Sequence, residues 1–163
     1  VELAYEFSKQ AILAGKSVVT SNKAVVDAHG KELEELALEK GVSYLYEASV
    51  GGGIPIIRPL RDCFTADRIT KITGILNGTT NYILTRMIRA GLSFETALKE
   101  AQDNGYAERD PSADIEGHDA CRKICILAAL AFGRHVYPRR VFQSLKKGVG
   151  IDFANDWPFL CFQ

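Results

Sequence analysis

The apolar residues at the start of the chain recur at helical spacing. Positions 3, 7, 11 and 14 are apolar, which predicts a helix over residues 1–14 that Gly15 ends. The residues from Ser17 to Thr20 are typical of a short buried strand. A helix that leads directly into a parallel strand is the end of an α/β unit, and a parallel strand needs neighbours. We therefore expect those neighbours to lie outside this chain, in a larger domain.

The middle of the chain alternates between an amphipathic helix and extended segments. Residues 31–40 place Leu33, Leu36 and Ala37 on one face and charged residues on the other, which predicts a helix. The remaining elements expected here are a strand over 42–50, a short helix over 56–64 and a strand over 68–76.

Three further helices are predicted in the second half of the chain, over 80–89, 93–104 and 115–132. The last of these is the most informative, because residues 124–132 are all apolar or small. A helix that is apolar on every side is buried on every side. Asp119 and Lys123 lie one turn apart at the edge of that stretch, so we expect them near the core.

Composition and charge narrow the classes of protein that fit. The 163 residues are 47% hydrophobic and 25% charged, which is typical of an ordinary soluble domain. Twenty basic residues balance twenty acidic ones, which argues against nucleic acid or an anionic membrane as a partner. The sequence contains no membrane-spanning apolar run, no signal-peptide pattern and no CxxC or zinc spacing among its four cysteines. We expect a reduced, cytoplasmic protein.

A polar loop over 105–111 precedes a group of acidic residues and a lysine. The simpler interpretation of Asp119 and Lys123 is an i, i+4 ion pair worth about 0.2–0.5 kcal/mol. The functional interpretation is the rim of a pocket, where carboxylates bind an ammonium group and the lysine transfers a proton. The buried continuation of the helix gives the two interpretations equal weight, because proton transfer favours a partly desolvated lysine.

Weaker candidates lie beside the predicted strands. Residues 47–55 lead into three glycines, where backbone could approach a ligand or expose carbonyl oxygens to a cation, although a tight turn is the simpler explanation. Lys23 follows the first strand, at the end where α/β sheets bind ligands, although most such lysines have no role. Asn77-Gly78-Thr79 matches the glycosylation sequon, and because nothing indicates secretion we interpret it as unused.

Taken together, these segments resemble the homoserine dehydrogenase family from about Ser17 to Gly133. Each block is weak alone, but their order and spacing are highly specific. The matching blocks are Thr20–Lys23, Glu47–Pro55, Gly74–Ile83, Ala101–Gln102, Gly105–Glu108 and Asp110–Pro111, followed by Asp114, Gly117, Asp119 and Lys123.

The resemblance implies an α+β fold, with a small mixed β-sheet covered by helices and a remnant of a Rossmann-type α/β unit ahead of it. In these terms residues 1–23 are the remnant of a nucleotide-binding domain, and residues 24–135 form the catalytic and dimerisation domain. Residues 136–163 form a C-terminal segment whose packing the sequence does not determine. A homodimer formed through the sheet is part of the same expectation.

The resemblance also assigns roles to individual residues. Lys123 resembles the proton donor and acceptor at the reacting oxygen, and Lys23 resembles the lysine that faces cofactor and substrate. The implied substrate-binding carboxylates are Glu108 and Asp119, with Asp114 near them; the further cofactor contact is Gly105; the positions whose oxygens hold a sodium ion are Glu47, Val50, Gly52 and Ile54.

The implied reaction is the reversible reduction of L-aspartate 4-semialdehyde to L-homoserine with NADPH or NADH, in threonine and methionine biosynthesis. A lysine ammonium can stabilise and protonate the developing alkoxide, and carboxylates can hold the ammonium of the amino acid. The chain contains no G-x-G-x-x-G fingerprint, so we expect the main cofactor site to lie elsewhere and the isolated chain to be inactive. The choice between NAD and NADP stays open.

Two alternatives remain. The chain could be a catalytically silent dimerisation or binding module derived from such an enzyme, since it lacks the phosphate-binding loop. Another dehydrogenase built on the same scaffold is a weaker alternative. A glycine fingerprint immediately ahead of Val1 in the encoding gene would favour the enzyme.

Overall fold

Helices are the most extensive elements in the computed structural model, which describes residues 1–136, 138, 142–144, 148–151 and 160–162. The helices are α1 (Glu2–Leu13), α2 (Lys23–Lys40), α3 (Gly78–Ala90), α4 (Phe94–Asp103), α5 (Ser112–Ile115) and α6 (His118–Phe132). The strands are β1 (Val18–Val19), β2 (Tyr44–Leu45), β3 (Phe142–Ser144), β4 (Gly148–Ile151) and β5 (Leu160–Phe162). Single helical turns occur at Glu47–Ser49 and Pro59–Cys63.

The chain divides into two compact units. The first comprises Val1–Ile69 and Arg122–Arg139, and the second comprises Thr70–Cys121 and Arg140–Gln163. The division falls inside α6, so this helix contributes its first turn to the second unit and the remainder to the first.

The first unit contains a β-α-β segment in which α2 connects two parallel strands. Val18 pairs with Tyr44, and Val19 pairs with Leu45. The expectation that every parallel neighbour of the first strand lies outside the chain is therefore wrong, because β2 supplies one. Only part of the predicted strand over 42–50 forms, since the backbone turns into a helical turn at Glu47–Ser49.

Helix α1 is present as predicted, but it buries a different face. Tyr5 and Ile12 are buried, whereas Leu3 and Phe7 are each 67% exposed. The apolar spacing of positions 3 and 7 therefore did not identify the packed face. Tyr5 decides the orientation, because its ring stacks on His29 of α2.

Helix α2 begins well before the predicted start at residue 31. The side chain of Asn22 accepts a hydrogen bond from the backbone nitrogen of Val25 and caps the helix at Lys23. Gly30 lies in the interior of the helix, where glycine lowers helix propensity and obscures the pattern. Tertiary packing compensates, because Val25, Val26 and Leu33 are buried.

The second unit has a core formed where α3 and α4 pack together. Alanine positions on α4 permit this close packing, because a small side chain lets two helices approach. The buried residues of this core are Ile83, Ala97, Ala101 and Ala107, and Tyr82, Met87, Leu92, Phe94, Leu98 and Ile115 pack against them. The predictions of helices over 80–89 and 93–104 are confirmed to within two residues at each end.

The predicted strand over 68–76 is wrong, because these residues belong to neither of the described sheets. An alternating pattern alone does not make a strand, since a strand also needs a hydrogen-bonded partner. The later strands form an antiparallel sheet in the order β3-β4-β5, with Gln143 opposite Val149 and Gly150 opposite Cys161.

The α+β class predicted from the sequence agrees with this arrangement. The strands form a parallel pair and a separate antiparallel sheet rather than one mixed sheet, which corrects that part of the prediction. The remaining residues of the C-terminal segment 136–163 lie outside the described part of the chain.

The prediction of a fully buried stretch over residues 124–132 of α6 is confirmed in part, because residues 129–132 are only partly buried. Residues 124–128 are all buried, with at most 4% of any side chain exposed. Cys121 and Cys125 are buried in this helix, where they pack as small core residues. Among the described residues, no helix combines the length and the apolar character that a bilayer crossing requires.

Candidate active site

Two of the carboxylates assigned to substrate binding are held together by one amide. The side-chain nitrogen Nδ2 of Asn77 donates to Oδ1 of Asp114 at 2.7 Å and to Oδ2 of Asp119 at 3.1 Å. Both acceptor oxygens therefore lie within 3.1 Å of the same nitrogen atom. Asn77 and Asp119 are each only 8% exposed. Two carboxylates this close, one of them buried, favour a cation that binds beside them.

The position of Asn77 is fixed by the start of α3. Its Oδ1 accepts from the backbone nitrogen of Thr80 at 2.8 Å and from Oγ1 of Thr80 at 2.9 Å, which caps the helix. The remaining polar atom of the amide is the nitrogen, and it points to the two carboxylates. The interpretation of Asn77-Gly78-Thr79 as an unused sequon missed this role.

The loop that carries Glu108 is fastened to the helices beside it. Gly105 adopts a left-handed conformation, with φ of 73°, and ends the α4 region. The carbonyl oxygen of Tyr106 accepts from Oγ1 of Thr79 at 2.8 Å, and the carbonyl of Glu108 accepts from Nε2 of Gln102 at 3.1 Å. The side chain of Glu108 is exposed, so the loop holds its backbone in place and leaves its carboxylate in solvent.

The two candidate lysines both lie in helices, within residues assigned to the first unit. Lys23 is the first residue of α2, and Lys123 lies in the second turn of α6. Both side chains are partly buried, which agrees with the expectation that Lys123 lies near the core. The carboxylates Glu108, Asp114 and Asp119 belong to the second unit, so the candidate residues are distributed over both units.

The glycine loop after Glu47 is organised by the Glu47 carboxylate. Its Oε1 accepts from the backbone nitrogens of Ile56 at 2.6 Å and Ile57 at 2.8 Å, and its Oε2 accepts from that of Arg58 at 2.7 Å. Burial opposes ionisation of Glu47, but these peptide donors outweigh it and hold its pKa below the usual value. The carboxylate therefore anchors the chain at the start of the helical turn that follows.

The predicted sodium positions lie between residues 47 and 54, in the glycine loop and the helical turn that precedes it. Val50 is buried, Gly52 has a positive φ of 60°, and the backbone nitrogen of Ile54 donates to the carbonyl of Gly51 at 3.0 Å. Because the side-chain oxygens of Glu47 are occupied by peptide donors, backbone carbonyls are the oxygens these positions offer to a cation. The described part of the chain contains no group of three or more His, Cys, Asp or Glu side chains suited to a metal.

Asp27 of α2 is a buried carboxylate in a different environment. It is 8% exposed and lines a cavity of about 210 Å³ together with Tyr46 and Cys125. Its Oδ1 has no hydrogen-bond partner among the described residues. Burial raises the pKa of Asp27 to about 6, against the positive charge of Arg122 and a hydrogen bond with Cys125, which lower it. The sequence analysis gave this residue no role.

Comparison with known proteins identifies the family. The protein-family model for homoserine dehydrogenase matches residues 55–151, which is more than half of the chain. The homoserine dehydrogenase of Synechocystis sp. is 56% identical over 127 residues, which cover 78% of this chain and 29% of that protein. The enzyme of Bacillus subtilis is 50% identical over 136 residues, which cover 83% of this chain and 31% of that protein.

Solved structures give the same result. A homoserine dehydrogenase from Thiobacillus denitrificans superposes with a TM-score of 0.84 at 40% identity, over 97% of this chain and 41% of that one. A hyperthermophilic archaeal homoserine dehydrogenase in complex with NADPH superposes with a TM-score of 0.79 at 30% identity, over 99% of this chain and 52% of that one.

The chain belongs to the homoserine dehydrogenase family. The resemblance stated from its motifs is thereby confirmed. The chain spans about a third of the length of the curated relatives it matches.

Proposed function

We propose that the protein carrying this chain interconverts L-homoserine and L-aspartate 4-semialdehyde with a nicotinamide cofactor, as a step in threonine and methionine biosynthesis. Family membership supports an oxidoreductase, and the archaeal relative solved with NADPH supports a nucleotide cofactor. The observation within this chain that carries the proposal is the pair Asp114 and Asp119, joined through Asn77. This arrangement suits the ammonium group of an amino acid.

The proposed roles follow from charge and position. Asp114, Asp119 and Glu108 bind the ammonium of the substrate, because carboxylates form strong charge-assisted hydrogen bonds with it. Lys123 stabilises the developing alkoxide and transfers the proton at that oxygen. Its place on α6, immediately before the buried residues 124–128, fixes its backbone firmly. A site built on such an element keeps the precise geometry that proton transfer requires.

Lys23 and Gly105 are the residues of this chain proposed to contact the nicotinamide, which would supply or accept the hydride when bound. Gly105 fits such a contact, because it is exposed and a Cβ there would meet no atom within 4 Å. Space is therefore open beside its backbone for a ligand to approach. A sodium ion held by carbonyls of the turn at 47–54, and a homodimer, complete the proposal. Sedimentation of the full-length protein tests the dimer.

Steady-state kinetics of the full-length gene product test this function. Purified protein should oxidise NADPH or NADH when L-aspartate 4-semialdehyde is added, and should reduce the oxidised cofactor with L-homoserine. The 163-residue chain by itself should show little turnover, since it has no glycine-rich phosphate loop. Absence of turnover in the full-length protein would favour the catalytically silent binding module.

Replacement of Lys123 tests the mechanism. Lys123→Ala should lower kcat by about 10²–10⁴-fold, which is the usual contribution of a positioned general acid. Lys99→Ala is the matched control, because Lys99 is exposed and pairs with Asp103 at 3.0 Å within α4. A folded Lys123→Ala protein with kcat within threefold of wild type, like the control, would remove Lys123 from the mechanism.

A further inference from the structure

We propose that Asn77 is a positioning residue, whose amide holds Asp114 and Asp119 in the geometry that receives the substrate ammonium while leaving both negative charges in place. The inference rests on the proposed function, and it adds a residue to which the sequence gave no chemical role. It stands on hydrogen bonds within the second unit.

The orientation of the Asn77 amide is determined by its neighbours. Its Oδ1 must accept, because the backbone nitrogen of Thr80 is a donor at 2.8 Å. The opposite side of the amide therefore presents the two hydrogens of Nδ2. These meet Oδ1 of Asp114 and Oδ2 of Asp119. One side chain thus satisfies the start of a helix and orients two carboxylates from a later part of the chain.

The Asn77 amide and its two hydrogen bonds to Asp114 and Asp119, here called the bridge, carry no net charge, and this affects which ligand the carboxylates attract. A lysine or arginine at position 77 would also hold two carboxylates together, but it would cancel their charge. An amide supplies two donors and no net charge, so the carboxylates keep their attraction for a cation. The amide therefore adds no positive charge of its own beside the two carboxylates.

Other charged groups on the same elements have partners of their own. Glu116 lies 3.0 Å from His118, Arg86 lies 2.9 Å from Glu100, and Asp110 accepts from the backbone nitrogen of Ser112 at 3.2 Å. Lys123 lies in the next turn of α6 after Asp119. A change in the pH dependence of catalysis must therefore be assigned with variants of Asp114 and Asp119 themselves.

Two substitutions separate the bridge from the helix cap. Asn77→Ser retains an oxygen that can accept from Thr80, but it cannot reach both carboxylates. Asn77→Asp retains the cap and the shape, and replaces the shared donor by a third acidic group. The matched control is Ser93→Ala, because Ser93 caps α4 by accepting from Thr96 at 3.2 Å and has no place in the site.

In the full-length protein, Asn77→Ser should lower kcat/KM for L-homoserine by about 10–100-fold, mainly through KM, as expected for lost hydrogen bonds to charged groups. Asn77→Asp should lower it further and move the acidic limb of the pH profile upward by about one unit, because a third carboxyl resists ionisation of the other two. Ser93→Ala should leave both quantities within twofold of wild type.

A measurement that needs no turnover separates this inference from the proposed function. Carbon-13 NMR titration follows the carboxyl groups of Asp114 and Asp119, assigned with Asp114→Asn and Asp119→Asn. Asn77→Asp should raise their titration midpoints relative to wild type, and Ser93→Ala should not. An inactive wild type with this response would contradict the proposed function alone. Asn77 variants that match Ser93→Ala in both the kinetics and the titration would overturn the role of Asn77.

Discussion

The two units of this chain satisfy their carboxylates in opposite ways. In the first unit, Glu47 is surrounded by donors, since three peptide nitrogens lie within 2.8 Å of its oxygens. In the second unit, Asp114 and Asp119 share the two hydrogens of a single amide. The first arrangement saturates one charge with the backbone, whereas the second holds two charges together with one neutral group.

This difference separates a structural carboxylate, Glu47, from the two carboxylates that we propose bind substrate. A carboxylate that accepts several peptide hydrogen bonds stabilises the fold and has little capacity left for a ligand. An amide shared by two carboxylates is neutral, so it cancels none of their negative charge. The family resemblance named both residues as ligand-binding, Glu47 for a sodium ion and Asp119 for the substrate. The kind of donor distinguishes them, because Glu47 accepts from backbone nitrogens and Asp119 accepts from a shared side-chain amide.

The largest effect that would test the comparison is on stability at Glu47. Glu47→Ala should lower the free energy of unfolding by about 2–3 kcal/mol, because three peptide donors lose a charged acceptor and water replaces it only in part. Urea denaturation of the full-length protein measures this. Glu35→Ala is the control, since Glu35 is exposed and its nearest cation, Lys31, is 3.8 Å away. If the two variants were equally stable, Glu47 would not be a carboxylate that stabilises the fold.

A somewhat smaller effect is expected at Asp27, whose buried Oδ1 has no hydrogen-bond partner among the described residues. Its folded-state pKa of about 6 lies above the ordinary value, so the folded protein binds the extra proton between about pH 4 and pH 6. This contribution to stability is present below that window and is lost as pH rises through it. Asp27→Asn should therefore stabilise the protein by about 1–2 kcal/mol at pH 8, with no gain near pH 4.

Thermal unfolding of wild type and Asp27→Asn across that pH range gives the difference directly. The difference between the two proteins isolates Asp27 from carboxylates whose pKa values are lowered, such as Glu47 and Glu100. A difference that does not change with pH would show that burial does not govern this group.

The smallest effect should be kinetic and should occur at Glu108. Its exposed side chain is proposed to bind substrate equally in the ground and transition states. Glu108→Ala should raise KM for L-homoserine about 5–10-fold and leave kcat within twofold, with stability changed by less than about 0.5 kcal/mol. Arg109→Ala, the exposed neighbour, is the control. An equal fall in kcat would instead assign Glu108 to the chemical step.

Periodicity predicted the helices well and the strands poorly. Helices α3, α4 and α6 each carry enough turns for the pattern to dominate, and their caps at Asn77 and Ser93 reinforce it. The strands β1 and β2 are two residues long, and the segment 68–76 alternates without a partner in the described sheets. A pairing between distant segments is not encoded in the local pattern.

The residues of the candidate site also divide into those that the sequence could identify and those that depend on distant contacts. The motif order was enough to name Lys123, Asp114, Asp119 and Glu108 as candidates, because the family preserves their spacing. The role of Asn77 was not accessible, since its contacts reach 37 and 42 residues along the chain. Its position ahead of a helix does indicate an N-cap, and that local signal was available. What the cap also touches is decided by tertiary packing.

The Asn77-Gly78 dipeptide is also a potential site of deamidation as the protein is stored. Glycine is the neighbour that least hinders attack of its backbone nitrogen on the asparagine side-chain carbonyl, which expels ammonia and closes a succinimide. Hydrolysis of that ring would leave an acidic residue where a donor to Asp114 and Asp119 is required. The same hydrogen bonds hold the amide in place, with Oδ1 on Thr80 and Nδ2 on the carboxylates. Because these hydrogen bonds restrain the amide, we expect deamidation of Asn77 to be slower while they are intact than after the start of the helix loosens.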